Sequence, residues 1–140
     1  MEKFVATLLL CVASTAAGCS GSSDVERAEA YSGIGAGETV HFNGNEPFWD
    51  GEVTGIQLRY ADLEHPDGVP VMVERFAGNG GLSFSGTFDG ARFDLAITPG
   101  RCNDTMADRA YPFTATLSVR GETRFGCAWT DSQPFEDRAS

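Results

Sequence analysis

The chain has 140 residues, of which 41% are hydrophobic, including 10 phenylalanines, and this composition is typical of one globular domain. Its formal net charge is −10, from 20 acidic and 10 basic residues. Nucleic acid and anionic lipid both require a basic protein face, so this charge argues against either as a partner.

The first residues have the layout of a secretory signal. A weakly charged start precedes an apolar stretch from Phe4 to about Val12, and small residues follow up to Gly18. The apolar run is shorter than the roughly 20 residues that a membrane-spanning helix needs. We therefore expect residues 1–18 to be a signal peptide, and the alternative is a buried N-terminal helix.

The segment Ala16-Ala17-Gly18-Cys19 resembles the bacterial lipobox, although leucine is usual where Ala16 stands. The resemblance implies cleavage before Cys19 and a diacylglycerol on its sulfur. Two or three acyl chains anchor a protein stably, whereas one chain anchors it only reversibly. The alternative is a secreted protein cut near Ala17, with Cys19 free. By analogy with enterobacterial sorting, Ser20 after the cysteine favours the outer membrane, on its periplasmic side.

Composition divides the rest of the chain into three regions. Residues 19–37 are polar and small, with scattered acids, and we expect the acylated cysteine followed by a flexible tether with a reach of roughly 20–25 Å. The folded domain is predicted over residues 38–129. Residues 130–140 form a polar tail.

Within the predicted domain the hydrophobic period is two rather than 3.6, which predicts strands. The clearest runs are Leu82–Phe88, Ala91–Ile97 and Phe113–Val119. Further candidates are Thr39–Asn43, Phe48–Tyr60, Val69–Phe76 and Thr123–Trp129, and the second of these is expected to be broken at Gly51 or Gly55. Asp89-Gly90 between two alternating runs is a hairpin signal, because a type I′ turn needs positive φ at both residues. Seven or eight such strands must close up or pair face to face to bury their phenylalanines. We expect an all-β fold, a small antiparallel barrel, with a sandwich as the alternative.

Two cysteines, Cys102 and Cys127, lie inside the predicted domain. An even pair in an exported domain predicts a structural disulfide. It would close a loop of about 25 residues and contribute roughly 3–4 kcal/mol on the chain-entropy model. A redox or metal role would need closer spacing or histidine partners, and the sequence offers neither.

Three motifs occur in order along the domain. Gly44-Asn45-Glu46-Pro47-Phe48-Trp49 matches a G-x-E-P-F-W pattern, the run from Arg101 to Phe113 is similar to C-x-D-G-M-S-x-x-x-Y-P-F, and Gly126-Cys127-Ala128 matches G-C-A. Together they resemble a family of bacterial envelope lipoproteins described as uncharacterised or predicted membrane proteins. Thr105 and Ala107 stand where that family tends to have glycine and serine, which leaves the turn geometry of this loop open. The resemblance covers about residues 43–128 and implies a location and a fold, but no activity.

The first motif offers Glu46, Phe48 and Trp49 as candidate binding residues. These residues form either an aromatic ligand platform or a packing element. Pro47 fixes φ, and Phe48 and Trp49 would point to opposite faces of a strand, so we expect packing.

The second motif offers Asp104, Arg109 and Tyr111. Asp104 and Asp108 provide too few oxygens for an EF-hand type of calcium site, so we expect a solvated loop of Asp–Arg pairs and no metal. An ion pair between Arg109 and Glu46 would join the first two motifs, and we state it as a hypothesis.

His41 and His65 are the two histidines of the chain. A hydrolytic triad needs a base beside a nucleophile and an orienting acid, and no G-x-S-x-G element is present. A zinc site needs three or four ligands. We therefore expect no catalysis and no cofactor.

The sequence thus predicts a cell-envelope lipoprotein that acts as a non-catalytic binding or structural module. Its expected partner is a small apolar ligand or an envelope protein, besides the membrane that holds its anchor. The alternative is an inhibitor of a cationic wall-degrading enzyme such as a lysozyme, because an acidic domain attracts a basic partner. That alternative rests on fold-level analogy.

Overall fold

The computed structural model describes residue 18, residues 29–104 and residues 106–138. The predicted signal peptide before Gly18, Cys19 and the first half of the predicted tether lie outside the described residues. The described part of the chain forms nine strands and contains no helix. It offers no helix that is long and apolar enough to span a membrane.

The strands follow the chain in a simple order. They are β1 (Thr39–Asn45), β2 (Phe48–Thr54), β3 (Gln57–Asp62), β4 (Val69–Ala77), β5 (Leu82–Phe88), β6 (Ala91–Asp104), β7 (Arg109–Val119), β8 (Glu122–Thr130) and β9 (Glu136–Asp137). Each strand from β1 to β8 pairs antiparallel with the next, and β8 pairs back with β1. The prediction of an antiparallel barrel is therefore confirmed, with eight strands in a closed ring rather than a sandwich.

Local sequence explains where the strands turn. Asp89 and Gly90 both have positive φ (52° and 72°), which agrees with the predicted hairpin between β5 and β6. Arg120 and Gly121 make the same kind of turn between β7 and β8, with φ of 51° and 76°. The predicted run Phe48–Tyr60 is two strands, and of the two expected break points, Gly51 and Gly55, the chain turns at Gly55 (φ 61°).

The barrel interior is filled with side chains. The inward positions of all eight strands contribute to one buried hydrophobic cluster, whose largest members include Trp49, Tyr60, Phe42, Phe84, Phe93 and Phe113. Side chains alternate between the two faces of a strand, so the period of two in the sequence becomes one packed face and one solvated face.

Packed residues extend beyond the predicted domain limits of 38 and 129 on both sides. Ile34 lies in the predicted tether but is buried in the core cluster, and Tyr31 packs against that cluster. In the predicted polar tail, β9 pairs with the start of β7 through Glu136 and Asp137.

The ends of β6 and β7 extend beyond the ring as a hairpin, called here the arm (residues 101–104 and 106–111). The arm begins at a register shift between Pro99 and Cys102. A disulfide joins Cys102 to Cys127 on β8, with their Cα atoms 5.5 Å apart, and confirms the predicted pairing. This bond holds the arm against β8.

Candidate functional site

The first two sequence motifs meet where the arm reaches β1. Asn45 donates a hydrogen bond from Nδ2 to Oδ1 of Asp104 at 2.8 Å. The hydroxyl of Tyr111 donates to Oδ2 of Asp104 at 3.3 Å and accepts a hydrogen bond from Nδ2 of Asn43 at 3.4 Å. Two side chains of β1 are therefore bound to two side chains of the arm.

The third motif packs closely against the same region. Gly126 lies so close to Asn43 that a β-carbon there would overlap the carbonyl oxygen of Asn43. A β-carbon on Gly126 or on Gly44 would also meet the indole of Trp49, which is 0% exposed. The glycines of the first and third motifs thus make room for the tryptophan of the first.

A cleft of about 340 Å³ lies between the arm and the barrel wall. It is lined by Asn43, by residues 44–46 of the first motif, by residues 102–104 of the second, and by residues 123–127, which include the start of the third. We call it the three-motif cleft. The disulfide and the hydrogen bonds of Asp104 hold its two walls together.

One exposed apolar side chain lines this cleft, and two more lie on the neighbouring parts of β2 and the arm. Phe125 lines it and is 74% exposed, and Phe48, the partner of Asn45 in the β1–β2 pairing, is 48% exposed. Met106 is exposed on the arm, and its backbone N donates to Asp104 at 2.8 Å. Large apolar side chains grouped on a surface are typical of a binding site.

Asp104 is held as an anion at the centre of this region. Burial opposes its ionisation, but hydrogen bonds from the backbone of Met106, from Asn45, from the backbone of Ala107 and from Tyr111 outweigh burial and lower the pKa of the carboxyl. A charged acceptor forms stronger hydrogen bonds than a neutral one, so ionised Asp104 fixes the position of the arm.

Arg124 is the basic residue among those that line the cleft, and its guanidinium is bound to a buried side chain. Its side chain is 12% exposed, and it donates to the hydroxyl of Tyr60 at 2.7 Å and to Glu122 at 3.2 Å. Burial raises the pKa of Tyr60 to about 12, with smaller contributions from neighbouring charges. Tyr60 therefore stays neutral at physiological pH and accepts the hydrogen bond of Arg124.

The candidate residues of the first motif lie on opposite faces of the barrel wall, as their alternation predicts. Trp49 points into the barrel, and Phe48 lies outside, half exposed. Glu46 is exposed in the β1–β2 turn, ahead of a cis peptide bond to Pro47, and lines the cleft. Phe48 and Glu46 are therefore available to a partner, whereas Trp49 supports the wall behind them.

Arg109 does not join the first two motifs. Its Nε binds Oδ1 of Asp137 at 2.9 Å, and its guanidinium lies 4.4 Å from the ring centre of Phe135. The hypothesis of an Arg109–Glu46 pair is therefore wrong for the described residues. The connection between the motifs is made by Asn45 and Asp104 instead.

An aromatic cluster that the sequence patterns did not predict covers the arm. The ring of Trp129 stacks on His41 (centroids 5.2 Å apart) and lies 5.4 Å from both Tyr111 and Phe135. Phe135 is the single aromatic residue of the predicted polar tail, and this was the available signal. Asn43, Arg124 and Phe125 of the cleft were also missed, because their role depends on which strands become neighbours.

A second polar group lies at the end of the barrel that carries the β3–β4 connection. Ligand atoms of Asp62, Glu64 and His65 lie within 4.8 Å of one another. However, Oδ1 of Asp62 already accepts hydrogen bonds from the backbone N of Glu64 and of His65, at 3.0 and 2.8 Å. Oε2 of Glu64 pairs with Arg120 at 2.7 Å. The group is a hydrogen-bonded turn whose acidic atoms are engaged, rather than an open set of metal ligands.

The chain was compared with protein-family models, with curated proteins and with solved structures. None of the three comparisons found a match.

Proposed function

We propose that this protein is a bacterial cell-envelope lipoprotein, anchored through an acylated Cys19, whose barrel binds an envelope protein at the three-motif cleft without catalysis. The observation that carries the proposal is the convergence of three separate motifs on one cleft with an exposed apolar rim. The filled interior supports binding on the outside of the barrel rather than within it.

The chemistry of the cleft defines the kind of partner. Phe125, Phe48 and Met106 supply apolar contact area, and aromatic side chains contribute much of the binding energy at protein interfaces. Exposed Glu46 and a net charge of −10 favour a partner with a basic surface, which long-range attraction would bring to the cleft.

The experiment is site-specific photocrosslinking in native envelopes. A photoreactive phenylalanine analogue at Phe125 should capture one defined protein, because this side chain stands at the rim of the cleft. The matched control is the same analogue at Thr87, an exposed residue of β5 away from the cleft. Identical adducts from both positions, or none from Phe125, would contradict a binding site at the cleft.

The anchor is tested separately. Mass spectrometry of the N-terminal peptide should show Cys19 as the first residue, carrying acyl chains, and Cys19→Ser should move the protein from the membrane fraction to the soluble fraction. A peptide that begins elsewhere, or an unmodified Cys19, would remove the lipoprotein part of the proposal and leave the cleft untouched.

The second candidate function is inhibition of a cationic wall-degrading enzyme such as a lysozyme, and the net charge of −10 favours it. Stoichiometric protein should then block muramidase turnover, with an affinity that falls as salt is added. Phe125→Ser should weaken the inhibition, whereas Thr87→Ser should not. Full turnover at excess protein and low salt would exclude this function.

A further inference from the structure

A second exposed apolar surface lies far from the cleft. Met72 and Phe76 occupy outward positions of β4, and Ile56 lies beside Met72 in the β2–β3 turn, where its carbonyl oxygen accepts a hydrogen bond from the backbone N of Val73 at 2.9 Å. These three side chains, called here the β4 patch, are between 54 and 67% exposed. Large exposed apolar side chains on one face are typical of a surface that contacts another molecule.

The chain reaches the barrel next to this patch. The backbone N of Tyr31 donates to the carbonyl oxygen of Gly78 at 2.7 Å, directly after β4, and Arg75 of β4 donates to the carbonyl oxygen of Ile34 at 2.9 Å. The 12 steps of chain from Cys19 to Tyr31 span at most about 43 Å when fully extended. An anchor on Cys19 therefore keeps the end of β4 that carries Phe76 within that distance of the membrane.

The order of strands places the two apolar surfaces on opposite sides of the molecule. In the closed ring β1 to β8, strand β4 is four positions from β8 in either direction. The three-motif cleft lies along β8 and β1, so the β4 patch faces the other way. When one surface meets a flat boundary, the other points away from it.

We propose that the β4 patch is a lipid-contacting surface that rests on the membrane holding Cys19 and so presents the three-motif cleft to the opposite side. This inference rests on the proposed acylation of Cys19. The lipid that the β4 patch contacts is neutral, since an acidic chain is not attracted to anionic headgroups. Glu74, which faces outward between Met72 and Phe76, keeps a carboxylate at the level of the headgroups and makes the contact shallow.

The anchor explains why three exposed side chains are sufficient to keep this surface on the membrane. A patch of this size binds lipid weakly on its own, but a tethered contact forms within one molecule, at a high effective concentration. The patch then sets the orientation of the barrel, while the acyl chains supply the strength of attachment.

Tryptophan fluorescence in vesicles tests the orientation. The full mature chain, either with its native acyl chains or with Cys19 coupled to a maleimide phospholipid, is placed in phosphatidylcholine vesicles that contain brominated lipid. Phe76→Trp and Phe125→Trp are a matched pair, because both phenylalanines are exposed on outer strand faces, 67% and 74%. The unsubstituted protein gives the baseline from Trp49 and Trp129.

We expect brominated lipid to remove about half of the added emission at position 76 and none at position 125, since interfacial side chains sit some 5–10 Å into the headgroup boundary. Equal quenching at both positions, quenching only at 125, or none at either would overturn the proposal. The chemically coupled sample reports on docking whether or not the cell acylates Cys19. Mass spectrometry of Cys19 therefore tells a failure of the proposed acylation from a failure of the proposed lipid contact.

A second measurement tests the competing occupant, which is another copy of the chain. The unanchored variant Cys19→Ser should sediment as a monomer. A dimer that Phe76→Ser dissociates would assign the patch to self-association and overturn the lipid contact.

Discussion

Two glycines determine where the largest buried side chain lies. The indole of Trp49 occupies the space that β-carbons on Gly44 and Gly126 would need. Protein interiors are packed as densely as organic crystals, so a tryptophan at this position requires small neighbours. Gly44, Gly126 and Trp49 are therefore a single packing unit, and this unit lies behind the cleft.

Replacing Gly126 should destabilise the barrel. We expect Gly126→Ala to lower the free energy of unfolding by about 1–3 kcal/mol, because the added methyl group overlaps the carbonyl oxygen of Asn43, and β1 must shift to admit it. Urea unfolding measures the change. Gly80→Ala is the control, since a β-carbon there meets nothing within 4 Å. An equal loss in both variants would show that overlap at Gly126 is not the cause.

Asp104 should make the free energy of unfolding depend on pH in the acidic range. Its carboxyl has a lower pKa in the folded chain than its ordinary value of 3.8. Such a group stabilises the fold at pH values above its unfolded pKa, and this contribution is lost as the pH falls through the folded pKa. We expect Asp104→Asn to be less stable than the native protein near neutral pH, with the difference shrinking below about pH 4. Urea unfolding at stepped pH measures this, and parallel curves would contradict it.

At the scale of elements, the arm is the feature that separates this molecule from a plain eight-stranded ring. The disulfide fixes it to β8, Asn45 fixes its Asp104 to β1, and β9 pairs with its second strand at Arg109 and Ala110. Each contact joins segments that are far apart in the chain, so the arm depends on tertiary structure for its position.

Removing the disulfide should release the arm before it affects the barrel. The double substitution of Cys102 and Cys127 by serine should lower the free energy of unfolding by roughly 3–4 kcal/mol, since the bond closes a 25-residue loop in the unfolded chain. Backbone amides of the arm should exchange faster with deuterium, while those of β2 and β3 keep their relative protection. Uniform acceleration over all strands would show that the arm is not a separate unit.

A double-mutant cycle identifies the contact that joins the motifs. We expect Asn45→Ala and Asp104→Ala to show a coupling of about 0.5–3 kcal/mol, because their side chains share a hydrogen bond. The matching cycle of Glu46→Gln with Arg109→Gln should show none, because Arg109 is paired with Asp137. The reverse result would restore the hypothesis based on sequence.

For the whole molecule, the filled interior limits what the barrel does. Side chains from all eight strands meet at the centre, so the fold is a solid support for surface features. An acidic surface, a cleft along β8 and β1, and an apolar patch on β4 are the features that this support presents.

Small apolar ligands should not stabilise the native protein. We expect benzene to leave the Tm unchanged, because Phe93, Leu95 and Leu117 fill the centre of the barrel at 0% exposure. Leu95→Ala should open a dry cavity at a cost of about 2–5 kcal/mol, and benzene should then raise the Tm of that variant. A Tm shift in the native protein would contradict a filled interior.

About half of the candidate site was predictable from sequence. Glu46, Phe48 and Asp104 were identified within motifs and lie in the cleft or at its rim, and Trp49 was expected to pack. The residues opposite them, Arg124 and Phe125, belong to a strand whose neighbours the sequence does not specify. Arg109 was assigned a partner within the motifs, whereas its partner lies in the tail.

The sequence by itself determined the eight strands of the ring, although not the extension of β6 and β7 into the arm, together with the Asp89-Gly90 turn, the disulfide and the inward or outward direction of most side chains. These features depend on local alternation, on backbone preference at one or two residues, and on cysteine count. Only tertiary structure decided that β8 closes on β1, that the arm lies against both, and that the cleft and the β4 patch face opposite ways. The physical reason is that a period of two encodes which face of a strand is buried, while the neighbour of a strand is chosen by long-range packing.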